Sequence, residues 1–178
     1  MPHNFKIQGD YYVSKAGNDA NDGLTPNTPK LTLQAGLNLI TATGKTLVIG
    51  TGVYRENITK SLYTLNSIIG DGKVVLESIS GNDDLTFNST TIPVTLYLTN
   101  IEFRNIRYLY LNSYDSSNRI FYASFTNCII KCNITSIYPS WTGTYLFGGS
   151  TNYVVPTYYF TKCVIINSVI GSYIIAFN

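Results

Sequence analysis

The sequence is poor in charge and has no long apolar run. Only 12% of the residues are charged, and the formal net charge is +2. So little positive charge is atypical of proteins that bind nucleic acid or a membrane surface. No apolar run is long enough to span a membrane, and the opening MPHNFKIQGD lacks the apolar core of a secretory signal. We therefore expect no nucleic-acid partner, no membrane insertion, and synthesis inside a cell from which the protein leaves only by lysis.

Histidine and cysteine are too few for a metal centre or a disulfide framework. His3 is the only histidine, and Cys128, Cys132 and Cys163 contain no CxxC pair. A zinc site therefore lacks ligands, and buried free thiols are the favoured interpretation. Without a histidine in the core, there is also no base to activate a serine or cysteine nucleophile. The sequence predicts no metal and no cofactor.

Carboxylates are scarce where a sugar-cleaving enzyme would need them. Glycoside hydrolysis usually uses two Asp or Glu side chains on opposite sides of the sugar bond. The chain has ten acidic residues, and none follows Asp115. The earlier candidates are Glu77, Asp83, Asp84 and Glu102. Two of these belong to the sequence GNDD, which is typical of a turn.

The acidic stretch DANDG (Asp19–Gly23) suggests a calcium loop, a catalytic site or a simple turn. Counted from Asp19, the fifth position of an EF-hand would be Gly23, and the twelfth would be Lys30 where Glu is required. Asn, Asp and Gly at this density commonly bond to nearby backbone and adopt positive φ. The turn is the favoured interpretation, with a calcium site as the alternative.

The residues that are abundant indicate a β protein with one helix. Tyr, Thr, Asn and Ile dominate, and turn residues recur at short intervals. The segment TLQAGLNLITATG alone has helical periodicity, with Leu33, Leu37 and Ile40 on one face. We expect Thr32 to be its N-cap and Gly44 its C-terminal stop.

Three later segments repeat one pattern. LTNIEFRN, FTNCIIKC and FTKCVIIN align without gaps at spacings of 27 and 35 residues. Their like positions form the columns Leu98/Phe125/Phe160, Ile101/Cys128/Cys163, Phe103/Ile130/Ile165, Asn105/Cys132/Asn167 and Thr99/Thr126/Thr161. Repeats of this size indicate one supersecondary unit stacked on copies of itself. We expect a β-solenoid in which the columns form ladders. The alternative is a β-sandwich with coincidental similarity.

The N-terminal region resembles that of a known family. YYVSKAGNDANDGLTPNTPKLTLQAGLNLI, then GKTLVIGTGVYRENI and IIGDGKVVLES, is similar to the start of right-handed parallel β-helix proteins of the pectate-lyase-like superfamily. The order of first strand, Asn/Asp/Gly loop, Thr-Pro segment, capping helix and first full coil is the same. The resemblance is specific over Tyr11–Glu77 and generic beyond. It implies an all-β fold, a single-stranded parallel β-helix with a short N-terminal capping α-helix whose lid is Leu33, Leu37 and Ile40.

This fold divides the chain into three regions. Residues 1–10 form an N-terminal arm, residues 11–46 form the first strand, the turn and the capping helix, and residues 47–178 form coils. The C-terminal VIGSYIIAFN shows no second lid. Because the ends of a parallel solenoid expose backbone groups and core, we expect the coils to continue beyond residue 178 or to be covered by a partner subunit.

No catalytic residue can be transferred from the resembled superfamily. Its lyases combine clustered acidic calcium ligands with a Lys or Arg base on the middle coils. Arg104 and Arg107 lie on such a coil, but only Glu102 and the more distant Asp115 accompany them. We therefore expect no lyase site within the sequence.

An uncharged aromatic segment, Ser136–Pro156, offers binding chemistry instead. Tyr138, Trp141, Tyr145 and Tyr153 are candidates for contacts with glycan rings or with another subunit. Packing against their own solenoid or against a neighbouring subunit is the favoured interpretation. The run from Arg107 to Tyr122 also concentrates tyrosine.

Together these observations predict a structural or adhesive virion protein, namely a bacteriophage spike, fibre or decoration subunit that recognises host-surface glycans. β-Helices rich in Tyr, Asn and Thr and poor in charge resemble such proteins, which are usually homotrimers. The expected partners are two further copies, other virion proteins and polysaccharide, and the expected location is the virion, assembled in the host cytoplasm.

Two alternatives stay open, although the sequence leans against an enzyme. One is a polysaccharide lyase or glycoside hydrolase whose active coils lie beyond residue 178 or between subunits. The other is a secreted carbohydrate-binding protein, extracellular or at the cell surface.

Overall fold

The computed structural model describes residues 3–62, 65–79, 85–89, 94–106, 109–113, 121–132, 147–148, 157–167 and 173–177. These ranges contain mainly strands and one short helix. In chain order the elements are β1 (Tyr11–Val13), α1 (Leu33–Asn38), β2 (Lys45–Arg55), β3 (Ile58–Leu62), β4 (Leu65–Glu77), β5 (Leu85–Ser89), β6 (Val94–Ile106), β7 (Leu109–Ser113), β8 (Phe121–Thr126), β9 (Ile129–Cys132), β10 (Phe147–Gly148), β11 (Thr157–Thr161), β12 (Cys163–Asn167) and β13 (Tyr173–Phe177). The predominance of strands agrees with the all-β expectation.

The strands form two sheets, and neither closes on itself within the described ranges. The large sheet has the order β1-β2-β4-β6-β9-β12-β13, with β8 pairing with both β6 and β11. The small sheet has the order β10-β7-β5-β3. The strand pairs are parallel except β12 with β13, which is antiparallel. From β2 to β7, consecutive strands alternate between the two sheets.

The large sheet bends along one line, at residues with left-handed backbone. Asn100 in β6, Asn127 between β8 and β9, and Lys162 between β11 and β12 have φ of 58°, 52° and 53°. The line continues into β4 and β2 as register shifts near Gly70 and Gly50. Asn adopts left-handed conformation more readily than other non-glycine residues, whereas lysine has no such preference. The left-handed backbone therefore suits the two repeats that have asparagine at this position better than the repeat that has Lys162.

The apolar columns of the repeat lie on adjacent strands of the large sheet. Leu98 is opposite Phe125, and Phe125 is opposite Phe160, with the two phenylalanine rings stacked at 5.1 Å. In a second column, Phe103 is opposite Ile130, which is opposite Ile165. The remaining inward column consists of Ile101, Cys128 and Cys163, all buried. These side chains belong to one continuous hydrophobic core.

One column differs from the alignment of the repeats. Cys132 pairs with Ile106 rather than with Asn105, because the register of β6 shifts between Phe103 and Ile106. Asn105 has a φ of 54°, and a left-handed residue displaces the strand by one position. Cys132 and Asn167 do remain opposite each other.

The helix is shorter than its sequence pattern predicts. Thr32 is the N-cap, and its side chain accepts a hydrogen bond from Ala35 N. The helix ends at Asn38, well before Gly44, which instead lies in the turn before β2 with a φ of 73°. Ile40 follows the helix but is fully buried, as are Leu33 and Leu37.

The position of α1 is set by close packing on the first strands. The helix contacts β1, β2 and β3, and Gly36 lies against the side chain of Val13. A Cβ at this position would overlap Val13, so the helix could not approach β1 as closely with any other residue.

Among the described residues, no helix is long and apolar enough to cross a membrane.

Candidate functional site

The carboxylates of the opening turn are bonded to the chain itself. Asp19 accepts from Leu31 N at 2.8 Å, from Thr32 N at 2.9 Å and from the Thr32 hydroxyl at 2.9 Å. Burial raises the pKa of Asp19, but these hydrogen bonds outweigh it, so the pKa lies below its usual value. Asp22 accepts from Thr28 Oγ1 at 2.6 Å and from Leu24 N at 3.0 Å. The two side chains hold the turn together and fix the start of α1.

A buried carboxylate anchors the N-terminal arm to the large sheet. Asp71 is 5% exposed, and its Oδ2 accepts from the backbone N–H groups of Lys6 and Ile7. His3 Nε2 lies 3.6 Å from the same oxygen, and the His3 ring packs edge-on against Phe5 at 4.5 Å. Burying a carboxylate is costly unless donors surround it, and the arm supplies them. The sequence did not indicate this long-range contact.

Five alternating charges cross the outer face of four strands; we call this set the ion-pair row. It consists of Arg55 on β2, Glu77 on β4, Glu102 and Arg104 on β6, and Lys131 on β9. Glu102 Oε1 lies 2.7 Å from both Arg104 Nε and Lys131 Nζ. Glu77 Oε2 lies 3.1 Å from Arg55 Nε.

The ion-pair row has the electrostatics of a structural element. The hydrogen bond from Arg104 lowers the pKa of Glu102 to about 2, with a further contribution from Lys131 that outweighs burial. A carboxyl group with so low a pKa is ionised near neutral pH and cannot supply a proton as a general acid. The row therefore links neighbouring strands, and Glu102 within it does not serve as a general acid.

Two thiols are buried side by side in the core. Cys128 Sγ donates to Leu98 O at 3.4 Å, and Cys163 Sγ donates to Phe125 O at 3.4 Å. Burial raises the pKa of Cys128 to about 12. Because the thiolate is the reactive form, Cys128 is neither a ready nucleophile nor a ready metal ligand. In the described part of the chain, no three His, Cys, Asp or Glu side chains are grouped as a metal site.

Three tyrosines and a serine on the outer side of the large sheet form what we call the tyrosine face. Tyr97 on β6 is opposite Ser124 on β8, and Ser124 is opposite Tyr159 on β11. Tyr97 is 42% exposed and Tyr159 is 54% exposed. Tyr122 stacks on Tyr159, with ring centroids 6.3 Å apart and an interplanar angle of 22°. This face presents aromatic rings and hydroxyl groups to solvent.

The repeat alignment already contained the tyrosine face. Tyr97, Ser124 and Tyr159 immediately precede Leu98, Phe125 and Phe160, so extending the columns by one residue would have shown an outward position rich in tyrosine. The predicted contact residues Tyr138, Trp141, Tyr145 and Tyr153 lie outside the described residues, as do Asp83, Asp84, Arg107 and Asp115. Predictions on those residues remain predictions.

Comparison with known proteins does not assign the chain to a family. No protein-family model, no curated protein and no solved structure matches it. Family membership in the pectate-lyase-like superfamily therefore stays a prediction from the residues, and function has to be argued from the geometry.

Proposed function

We propose that this chain is a non-enzymatic structural or adhesive subunit of a bacteriophage particle. Its body would be a right-handed, single-stranded parallel β-helix, and it would serve as a spike, fibre or decoration protein. The observation that carries the proposal is the alternation of strands between two parallel sheets, with side-chain columns in register from strand to strand.

The alternation supports a β-helix because each strand pairs with the next strand of its own sheet. β2, β4 and β6 are joined in the large sheet, while the intervening β3, β5 and β7 are joined in the small one. A chain that visits two sheets in turn and always pairs in parallel advances by one strand spacing with each circuit. Such an architecture grows in length without changing its cross-section, which suits a shaft or spike.

The ionisable groups support a structural role. Asp19, Asp71 and Glu102 each bond to backbone or to cations of their own chain. Glu56 accepts from Leu33 N and Gln34 N at the start of α1. A catalytic carboxylate needs a free face toward substrate, and these four carboxylates are all engaged in holding the fold. The proposed location is the phage particle, and the proposed partners are two further copies of the chain.

A turnover assay tests the proposal against the enzyme alternatives. The whole chain is incubated with capsular and pectic polysaccharides, and unsaturated and reducing ends are measured over time. We expect no release above a buffer control. Release of either kind of end by the wild type would overturn the non-enzymatic assignment.

Two variants guard that assay against contamination. Glu77→Gln and Glu102→Gln remove the only two described carboxylates that the sequence offered as hydrolase candidates. Activity that either variant abolishes would belong to this chain, and a mock preparation from cells that lack the gene would reveal any activity that comes from a contaminant. The same samples give the molar mass by light scattering, for which we expect a trimer.

A further inference from the structure

We propose that the tyrosine face binds a neutral polysaccharide, with the chain of sugars lying across Tyr97, Ser124 and Tyr159. This inference deepens the proposed adhesive function and rests on it.

The face has a regular geometry. Leu96, Leu98, Ala123 and Phe125 are buried, so the residues between them point outward by the alternation of a strand. Tyr97 and Tyr159 are two strands apart, which is about 10 Å at the usual strand spacing. Ser124 lies between them and has a small side chain. The result is a notch with a tyrosine on each side and a hydroxyl group at its floor.

The chemistry of the face is uncharged. Most of the described residues beside it in the same outward rows carry hydroxyl groups, and Ile69 adds an apolar side chain; those with hydroxyl groups are Ser67, Thr95, Thr99, Thr126 and Thr161. Hydroxyl groups both donate and accept hydrogen bonds, and tyrosine adds a polar handle to an apolar ring. A ligand with hydroxyl groups on its edge and C–H groups on its face matches this set. These side chains include no cation, and the exposed lysine next to them is Lys162, which follows Thr161 at the corner of the sheet.

The ring of Tyr159 is supported by its neighbour. Tyr122 stacks on it at 6.3 Å, although Tyr159 is more than half exposed. Stacking restricts the ring of an exposed side chain, so less conformational entropy is lost when a ligand packs on it. A ring that its neighbour already holds in place therefore favours the binding of a ligand.

The exposed tyrosine area of the face is small for the centre of an interface with a second copy of the chain. A tyrosine side chain offers about 150–250 Å² when it is fully exposed. At 42% and 54% exposure, Tyr97 and Tyr159 together offer only about 200 Å², and Tyr122 adds little. A stable protein interface needs about 800 Å² from each partner and a more apolar centre. A thin polymer of sugars needs far less.

The test is affinity electrophoresis of the whole chain through gels that contain hydroxyethyl cellulose, galactomannan or dextran, with polygalacturonate as the charged comparison. We expect at least one neutral polymer to retard the wild type more than polygalacturonate does. Tyr97→Ala and Tyr159→Ala should each weaken that binding about tenfold, as expected for the loss of one aromatic contact. Tyr159→Phe keeps the ring and should stay within about threefold of the wild type.

Two exposed side chains outside the face provide matched controls. Ile129 is 39% exposed and Leu24 is 55% exposed, so Ile129→Ala and Leu24→Ala remove similar apolar surface elsewhere. Both should bind like the wild type. Ser124→Phe fills the notch and should abolish retardation. Circular dichroism of every variant shows whether the fold is kept, and Ser124→Phe remains informative if an alanine variant unfolds.

Three results would overturn the inference. They are no retardation by any neutral polymer, equal retardation of the wild type and the folded Tyr97→Ala and Tyr159→Ala variants, and conversion of an oligomer to a monomer by Tyr97→Ala with Tyr159→Ala. The last would show that a second copy covers the face. None of these results makes the chain an enzyme or removes it from a particle, so the proposed function fails or survives separately.

Discussion

Three residues at one corner of the large sheet have the same backbone conformation but different side chains. Asn127 Nδ2 donates to Asn100 Oδ1 at 2.8 Å, and Asn100 Nδ2 reaches Gly70 O at 3.4 Å. Lys162 occupies the next corner with a φ of 53°. The short polar side chain of asparagine can hydrogen-bond to nearby backbone in the left-handed conformation, and the lysine side chain lacks this compensation. Of these three positions, Lys162 is therefore the one at which the left-handed backbone is least favourable.

Lys162→Asn should stabilise the protein. Asparagine relieves the backbone cost and can extend the row of side-chain amides to Asn127, so we expect the free energy of unfolding to rise by about 0.5–1 kcal/mol. Urea denaturation followed by circular dichroism measures the change. Lys162→Ala is the control, because it removes the lysine without supplying an amide. A gain as large in Lys162→Ala would contradict the explanation.

The low pKa of Glu102 predicts how the free energy of unfolding depends on acidic pH. Its folded pKa of about 2 lies below the value of about 4.3 for an unfolded glutamate. The stabilisation is therefore present above about pH 4.3 and is lost as the pH falls toward 2. Because its partners are partly solvated, we expect Glu102→Gln to cost only about 1 kcal/mol at pH 7.

The measurement is urea unfolding of the wild type and Glu102→Gln across this acidic range. The difference between the two should shrink as the pH drops from about 4.3 toward 2, because the wild-type carboxylate is then protonated. A difference that stays constant over the whole range would show that the ion pairs do not contribute.

At the scale of elements, the aromatic column joins three strands. Phe125 is fully buried, with Phe103 edge-on at 6.1 Å and Phe160 stacked at 5.1 Å. Phe125→Ala should cost about 3–5 kcal/mol by opening a cavity between strands. Phe160→Ala should cost less, because Phe160 is only partly buried. Phe125→Leu keeps the comparison measurable if Phe125→Ala unfolds, and equal costs at Phe125 and Phe160 would contradict the assigned core.

The start of helix α1 depends on Glu56, which lies between β2 and β3. Glu56 accepts from Leu33 N and Gln34 N at 2.9 Å each, which satisfies two of the free N–H groups at the helix start. Glu56→Ala should lower the free energy of unfolding by about 1–2 kcal/mol. Glu77→Ala, which removes a more solvated ion pair with Arg55, should cost at most about 1 kcal/mol. Thermal unfolding of both variants decides, and the opposite order would argue against the cap.

Local patterns predicted the elements better than the contacts between them. The repeat alignment correctly predicted that Phe103 lies beside Ile130, because the alternation of residues along each strand is visible in a short stretch of sequence. The end of α1 was predicted too late because apolar spacing continues to Ile40 after the helical hydrogen bonds stop. The link from Asp71 to Lys6 joins distant parts of the chain, and no local pattern encodes it. The row of the tyrosine face could have been predicted by extending the repeat columns by one residue, to Tyr97, Ser124 and Tyr159.

On the scale of the whole molecule, the described part of the chain contains one large, mostly parallel sheet whose two ends differ. At one end, α1 packs on β1, β2 and β3. At the other, β13 pairs with β12 in the antiparallel direction and so interrupts the parallel order. In a stack, each strand contributes through its nearest neighbours, so the interior strands should contribute most to stability.

The central claim, that this chain is a particle subunit, is tested most directly by its sedimentation. Particles from a lysed culture of the producing cells are separated on a density gradient, and peptides of this chain are quantified by mass spectrometry in each fraction. We predict that the chain follows the major particle proteins at a constant ratio through the gradient. Recovery of the chain only in the soluble fractions would contradict the account.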